Sequence, residues 1–148
     1  RNLLGKEVKA ADAIKNGEFL DIVSVTTGRG WQGIVKRMGV SLNSHKATNT
    51  RRHGGSIGGE RQAKVMYTIP RAGQMGFHRR TERNKRVLAI TDSKTMAKSF
   101  EDYGTTKSDV LVLRGSVGGP TKRLIRLRRT TSKRADQGKE PQVKLQVI

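Results

Sequence analysis

Residues 110–129, VLVLRGSVGGPTKRLIRLRR, decide how the chain is read. VLVLRGSV is the strongest run of strand-favouring residues in the sequence, and GGPTK after it has turn chemistry. Arg123, Leu124, Ile125, Arg126, Leu127 and Arg128 then interleave basic and apolar side chains. Two such runs around a Gly-Pro turn predict a β-hairpin whose exposed face is arginine.

Upstream, EFLDIVSVTT (18–27) sets Phe19, Ile22, Val23 and Val25 in a strand buried on one face and partly on the other. KEVKAADAIKN (6–16) places Val8, Ala10, Ala11 and Ile14 at helical spacing, with Gly17 as the stop. GRGWQG (28–33) breaks the pattern as a hairpin turn, and IVKRMGV (34–40) is a brief apolar return. KVMYTIP (64–70) alternates as a strand, and VLAI (87–90) is a short one. SKTMAKSFEDYG, from Ser93, fits one helical turn or a strand, the tail from Thr130 to Gln142 is irregular, and VKLQVI offers a last strand. Short strands between glycine turns predict a mainly β fold, a small antiparallel barrel.

One segment does not fit any core. HKATNTRRHGGSIGGERQAK (45–64) holds four glycines and two histidines, and its only aliphatic residue larger than alanine is Ile57. The chain as a whole has 148 residues, 33% of them hydrophobic and 4% aromatic, so one domain with an excursion outside its core is expected. Its 31 Lys+Arg against 12 Asp+Glu give +19, a self-repulsion that an anionic partner would relieve. Nucleic acid is the expected partner. No apolar run reaches the roughly 18 residues of a membrane span, and the sequence has no cysteine for a disulfide or thiolate metal site.

From Arg29 to Arg86 the only acids are Glu60 and Glu82, against fourteen Lys/Arg residues. Lys and Arg at this density order a polar segment by meeting phosphates, and glycine permits close backbone approach. The expected RNA-contacting residues of the excursion and its roots are Arg29, Lys36, Arg37, His45, Lys46, Arg51, Arg52, His53, Arg61, Lys64, Arg71 and Gln74. His78, Arg79, Arg80, Arg83 and Lys85 continue the set, and Lys122, Arg123, Arg126 and Arg128 supply it from the hairpin. Trp31 and Phe77 are expected to pack in the core at the base of the excursion. The basic material lies in loops and a hairpin face rather than on a recognition helix, which favours shape-led contact with folded RNA.

Catalysis has little to stand on. His45, His53 and His78 have no acid nearby, no HExxH spacing occurs, and the glycine turns lack a phosphate-loop signature. No catalytic residue, metal, cofactor or small-molecule substrate is expected. Two other classes stay open: an RNA-modifying or RNA-processing enzyme built on an RNA-binding barrel, and a nonspecific cationic protein coating DNA or membranes.

DIVSVTTGRGWQGIVKRMGV, RRHGGSIGG, RAGQMGFHRRTERNKR and VLVLRGSVGGPTKRLIRLR occur in that order, and together they resemble the universal large-subunit ribosomal protein L-three family. HRRTERNKR and KRLIRLR are similar to the archaeal and eukaryotic branch, and members normally begin well upstream of this point. The resemblance implies a β-barrel akin to the second domain of translation elongation factors, formed by 1–40 and 75–148. It also implies an inserted extension, 41–74, that penetrates ribosomal RNA toward the peptidyl transferase centre. The implied partners are large-subunit rRNA and neighbouring large-subunit proteins, in the cytoplasm, with a role in subunit assembly. Glu60 stands where the archaeal and eukaryotic branch carries a tryptophan near the tip. Gln74 matches a glutamine whose side-chain amide is methylated in bacterial relatives.

Overall fold

The computed structural model describes residues 4–6, 8–47, 50–92, 99–132, 139 and 141. The chain divides into two compact units, Arg1–Thr26 with Arg79–Ile148, and Thr27–His78. The 41–74 segment lies inside the second.

The first unit is built on an antiparallel sheet in the order β7-β4-β1-β8. These strands are β1 (Phe19–Val25), β4 (Arg79–Thr91), β7 (Val110–Leu113) and β8 (Arg126–Arg129). β1 takes a central place because FLDIVSV can bury both faces: Phe19, Leu20, Asp21, Ile22 and Ser24 are all buried. Leu20, Ile22 and Val87 have no exposed surface, and with Phe19 they make up the buried apolar core among the described residues. Burying a side chain of this size stabilises by roughly 1.5–3 kcal/mol, so the centre of the sheet dominates the unit's stability.

Two bulges shape β4. Leu20 lies opposite Lys85 but Ile22 opposite Glu82, so Asp21 meets two residues, Arg83 and Asn84, and Asn84 takes a left-handed φ of 59°. An extra residue of this kind bends and twists a strand. The second shift falls between Val87 and Ala89, against β7. Beyond β1 the pairing runs on through Gly17, whose N–H donates to the Val87 carbonyl, and Glu18, whose carbonyl accepts from the Val87 N–H.

The predicted hairpin at 110–129 is corrected here. Val110–Leu113 and Arg126–Arg129 occupy opposite edges of the sheet, with β4 and β1 between them. GSVGGPTK is a crossing loop rather than a turn. A Cβ at Gly119 would come within 2.8 Å of the Val25 carbonyl oxygen, and one at Gly118 within 2.9 Å of Ser24 Oγ. Lys85 Nζ holds the loop by donating to the Ser116 carbonyl at 2.8 Å. Because glycine alone tolerates that approach, the loop can pass over the end of β1 and deliver the chain to the far edge. Among the described residues the sheet is open, with β7 and β8 as its edges.

Other expectations are adjusted. The helix expected over 6–16 is a four-residue stub, α1 (Ala10–Ala13), tied to β8 by Arg129 Nη2 on the Ala13 carbonyl at 2.8 Å. VLAI is the end of a thirteen-residue strand that begins at Arg79. KVMYTIP forms no strand. The described end of SKTMAKSFEDYG is a strand pair, β5 (Ser99–Phe100) with β6 (Gly104–Thr105). VKLQVI lies outside the described residues.

In the second unit, β2 (Trp31–Gln32) pairs antiparallel with β3 (Gly73–Gln74). The two glycine-bearing motifs GRGWQG and RAGQMG thus pair with one another, and the first is not a hairpin turn. IVKRMGV contains α2 (Ile34–Met38), which ends at Gly39 in the left-handed conformation with its N–H on the Val35 carbonyl. That is an αL helix stop, for which glycine carries no Cβ penalty. The remaining regular element is a 3-10 turn at Glu60–Gln62.

Candidate nucleic-acid interface

The paired motifs form a neck. Arg29 N–H donates to the Met75 carbonyl and Met75 N–H to the Gly30 carbonyl, each at 2.9 Å. Gly76, at φ 73°, lies so close that an added Cβ would overlap the Thr27 carbonyl oxygen. From α2, Arg37 bridges to the other side of the neck, Nε to the Gln74 carbonyl at 3.1 Å and Nη1 to the Arg71 carbonyl at 2.8 Å. Gly73 leaves room for that guanidinium, whose Cζ lies 3.1 Å from a Cβ built there.

Beyond the neck the chain is held by local bonds. Asn43 donates its backbone N–H to the Arg51 carbonyl at 2.9 Å and its side-chain Nδ2 to the Thr50 carbonyl at 2.9 Å. Every residue from Thr50 to Thr68 is exposed, including Tyr67 at 96%. Ile57, Val65 and Met66 are exposed as well, so the segment's few apolar side chains do not form a core. The unit Thr27–His78 carries nine Lys/Arg residues against the single acid Glu60.

The expected contact residues divide by what they already hold. Arg29, Lys36, His45, Lys46, Arg51, Arg52, His53, Arg61, Lys64 and Arg71 are exposed within the second unit. Gln74 is exposed, and its Nε2 donates to its neighbours' carbonyls, Met75 at 3.1 Å and Gly76 at 3.3 Å. His78 is half-buried. In the first unit Arg79, Arg80, Arg83, Lys122 and Arg126 are exposed and Arg123 half-buried. Arg37, Lys85 and Arg128 spend donors inside the chain. Lys85 holds Glu82 at 2.8 Å as well as Ser116, and Arg128 holds Asp21 at 3.0 Å. Trp31 and Phe77, expected in the core, are 75% and 66% exposed: among the described residues β2 and β3 form a sheet of only two short strands, too little to enclose a ring.

Asp21 is the acid most changed by its surroundings. Burial by itself would raise its pKa, but the Asn84 backbone N–H at 3.2 Å and the Arg128 guanidinium more than offset that and hold it below the usual carboxylate value. Glu18 is 3.8 Å from Arg129. These acids are engaged in structural pairs, and among the described residues no three His, Asp or Glu side chains gather to hold a metal. No helix among them is long and apolar enough to cross a membrane.

A mainly β chain carrying a cationic excursion without a core has the pattern of proteins that order against polyanions. Comparison with known proteins makes the class specific. The family described as Ribosomal protein L3 matches residues 1–148. The chain is 41% identical over 148 residues to large ribosomal subunit protein uL3 of Methanothermobacter thermautotrophicus, a match covering 95% of this chain and 44% of that protein. It is 40% identical to the protein of the same name from Methanococcoides burtonii and 42% to that from Methanococcus vannielii, each over 97% of this chain and 44% of the relative. The chain belongs to the ribosomal protein L3 family. It spans less than half the length of these relatives.

Proposed function

We propose that the chain is a structural constituent of the large ribosomal subunit that binds large-subunit rRNA and supports subunit assembly in the cytoplasm, without chemistry of its own. The observation that carries this reading is the uninterrupted exposure of Thr50 to Thr68 inside a unit with nine Lys/Arg residues and one acid. Apolar and cationic side chains exposed in this way are suited to RNA, which supplies both countercharge and stacking surface. Family membership supports the same reading.

In this proposal the open sheet of the first unit is part of a small antiparallel barrel similar to the second domain of translation elongation factors. Residues 41–74 are the extension that penetrates rRNA toward the peptidyl transferase centre, with Arg51, Arg52, Arg61, Lys64 and Arg71 against phosphates. Neighbouring large-subunit proteins are the other partners. Gln74 is the proposed modification residue: one methyl group on its Nε2 would leave a single N–H for the two carbonyls it now serves.

Sucrose-gradient fractionation of cell lysate tests the reading. The protein should travel with the large subunit, and at matched salt the purified chain should prefer large-subunit rRNA to unrelated polyanions. Migration free of ribosomes, or equal affinity for any polyanion, would overturn it and reopen the enzyme and coat-protein readings.

A further inference from the structure

In the first unit a groove of about 490 Å³ runs between the β6–β7 connection and the crossing loop. It is lined by Tyr103, residues 105–109 and Lys122, which set two lysines, Lys107 and Lys122, against the single acid Asp109. Neither lysine is in an ion pair among the described residues. Tyr103 is 52% exposed, so much of its surface is open to a ligand. The backbone on the lysine side is unusual, with Lys122 at φ 67°, a left-handed conformation that a lysine adopts only when its surroundings impose it.

We infer that this groove binds one nucleotide of an RNA strand, with its phosphate between Lys107 and Lys122 and its base stacked on Tyr103. Two cations match a phosphodiester, and together they outweigh the single carboxylate of Asp109. The volume falls in the range of pockets that hold ligands of nucleotide size, roughly 300–1,000 Å³. An aromatic face beside a cationic track is how single-stranded nucleic acid is held without base-specific contacts. The inference rests on the RNA-binding reading above and adds to it a contact on the sheet-bearing unit, separate from the 41–74 segment.

The test is binding of the chain to intact large-subunit rRNA across a salt series, for wild type, the double variant Lys107→Gln/Lys122→Gln, and Tyr103→Leu. The double variant should flatten the dependence of log affinity on log salt by about 0.7–0.9, the contribution of the one phosphate that the two lysines share. Tyr103→Leu should weaken binding roughly tenfold with the slope unchanged, and Tyr103→Trp should restore it. Urea unfolding of each variant confirms that the protein is folded. If wild type prefers the rRNA but the lysine variant keeps the full slope, or Tyr103→Leu binds as wild type, the groove is not an RNA site and the inference is overturned alone; that is also the result if a neighbouring protein fills it. If wild type shows no preference for the rRNA, both readings fall.

Discussion

Arg128 meets Asp21 from the directly opposed position on the neighbouring strand, its Nη2 at 3.0 Å and its Nε at 3.3 Å from one carboxylate oxygen. The acid is buried at the centre of the sheet, whereas the Arg128 side chain is 55% exposed. The other carboxylate oxygen takes the N–H of Asn84, the residue that the β4 bulge displaces. One aspartate therefore fixes the bulge on one side and an edge strand on the other.

Removing its partner should cost the sheet more than removing the acid. Arg128→Ala leaves the buried carboxylate without its countercharge and is expected to destabilise by about 3 kcal/mol, with the Asn84 N–H still donating to it. Asp21→Ala leaves the Asn84 N–H without an acceptor, but it removes the buried charge and returns an already exposed guanidinium to water, so a loss of about 1–2 kcal/mol is expected. Urea unfolding decides between them, and equal losses would count against this account.

The same pair gives a pH dependence. The folded-state pKa of Asp21 lies below the unfolded one, so its contribution is complete above the ordinary aspartate value of about 3.9 and is lost as pH falls through the folded value. In Arg128→Ala the depression is smaller, so acid unfolding should begin at a higher pH than in wild type. An unchanged acid midpoint, followed by tryptophan-independent circular dichroism, would refute the coupling.

Two neck glycines separate crowding from backbone preference. Gly30 and Gly76 both have positive φ, but a Cβ at Gly30 meets nothing within 4 Å, whereas one at Gly76 overlaps the Thr27 carbonyl oxygen. Gly30→Ala should cost about 1 kcal/mol and Gly76→Ala at least about 2 kcal/mol more. Thermal unfolding with equal shifts for the two would show that the backbone at Gly76 moves freely.

Arg37→Lys tests the bridge across the neck. A lysine cannot reproduce the fork that reaches the Arg71 and Gln74 carbonyls together, so the neck amides of Arg29 and Met75 should exchange hydrogen several-fold faster. Unchanged exchange would mean that the backbone ladder holds without Arg37.

In the RNA-free chain, trypsin should cut first at Arg51, Arg52, Arg61 or Lys64, all exposed and none in a strand. Added large-subunit rRNA should slow those cuts. Early cleavage after Lys85 or Arg86, beside the buried Val87, would instead contradict the assignment of the core.

β1 was clear in the sequence because FLDIVSV puts apolar side chains on both faces, Phe19, Val23 and Val25 on one and Leu20 and Ile22 on the other, with only Asp21 and Ser24 polar. β4 was legible only at VLAI, since from Arg79 to Arg86 its side chains are basic or polar and its pairing is interrupted by a bulge that no periodicity reveals. The 110–129 stretch misled because turn chemistry looks the same whether it reverses a chain or carries it over a sheet; only the close approaches at Gly118 and Gly119 tell the two apart. α2 had a usable signal, Lys36 and Arg37 followed by Gly39, which is a helix ending. The exposure of Trp31 and Phe77 was not readable, because an aromatic residue looks alike in a core and on a surface that waits for a partner. Tyr103 and Lys107 gave no local pattern, since the groove they line exists only once the crossing loop brings Lys122 beside them.

The neck has a further consequence, for the order of events in folding. The two central strands of the sheet are separated in sequence by the whole of Thr27–His78. Closing a loop of that length rather than a four-residue turn costs about 2 kcal/mol of chain entropy. Once Arg29 and Met75 have found each other, however, β1 and β4 begin only a few residues to either side, and most of that entropy has already been spent. The glycine-rich pairing then acts as a splint for sheet nucleation, and variants that loosen it should slow folding more than they speed unfolding.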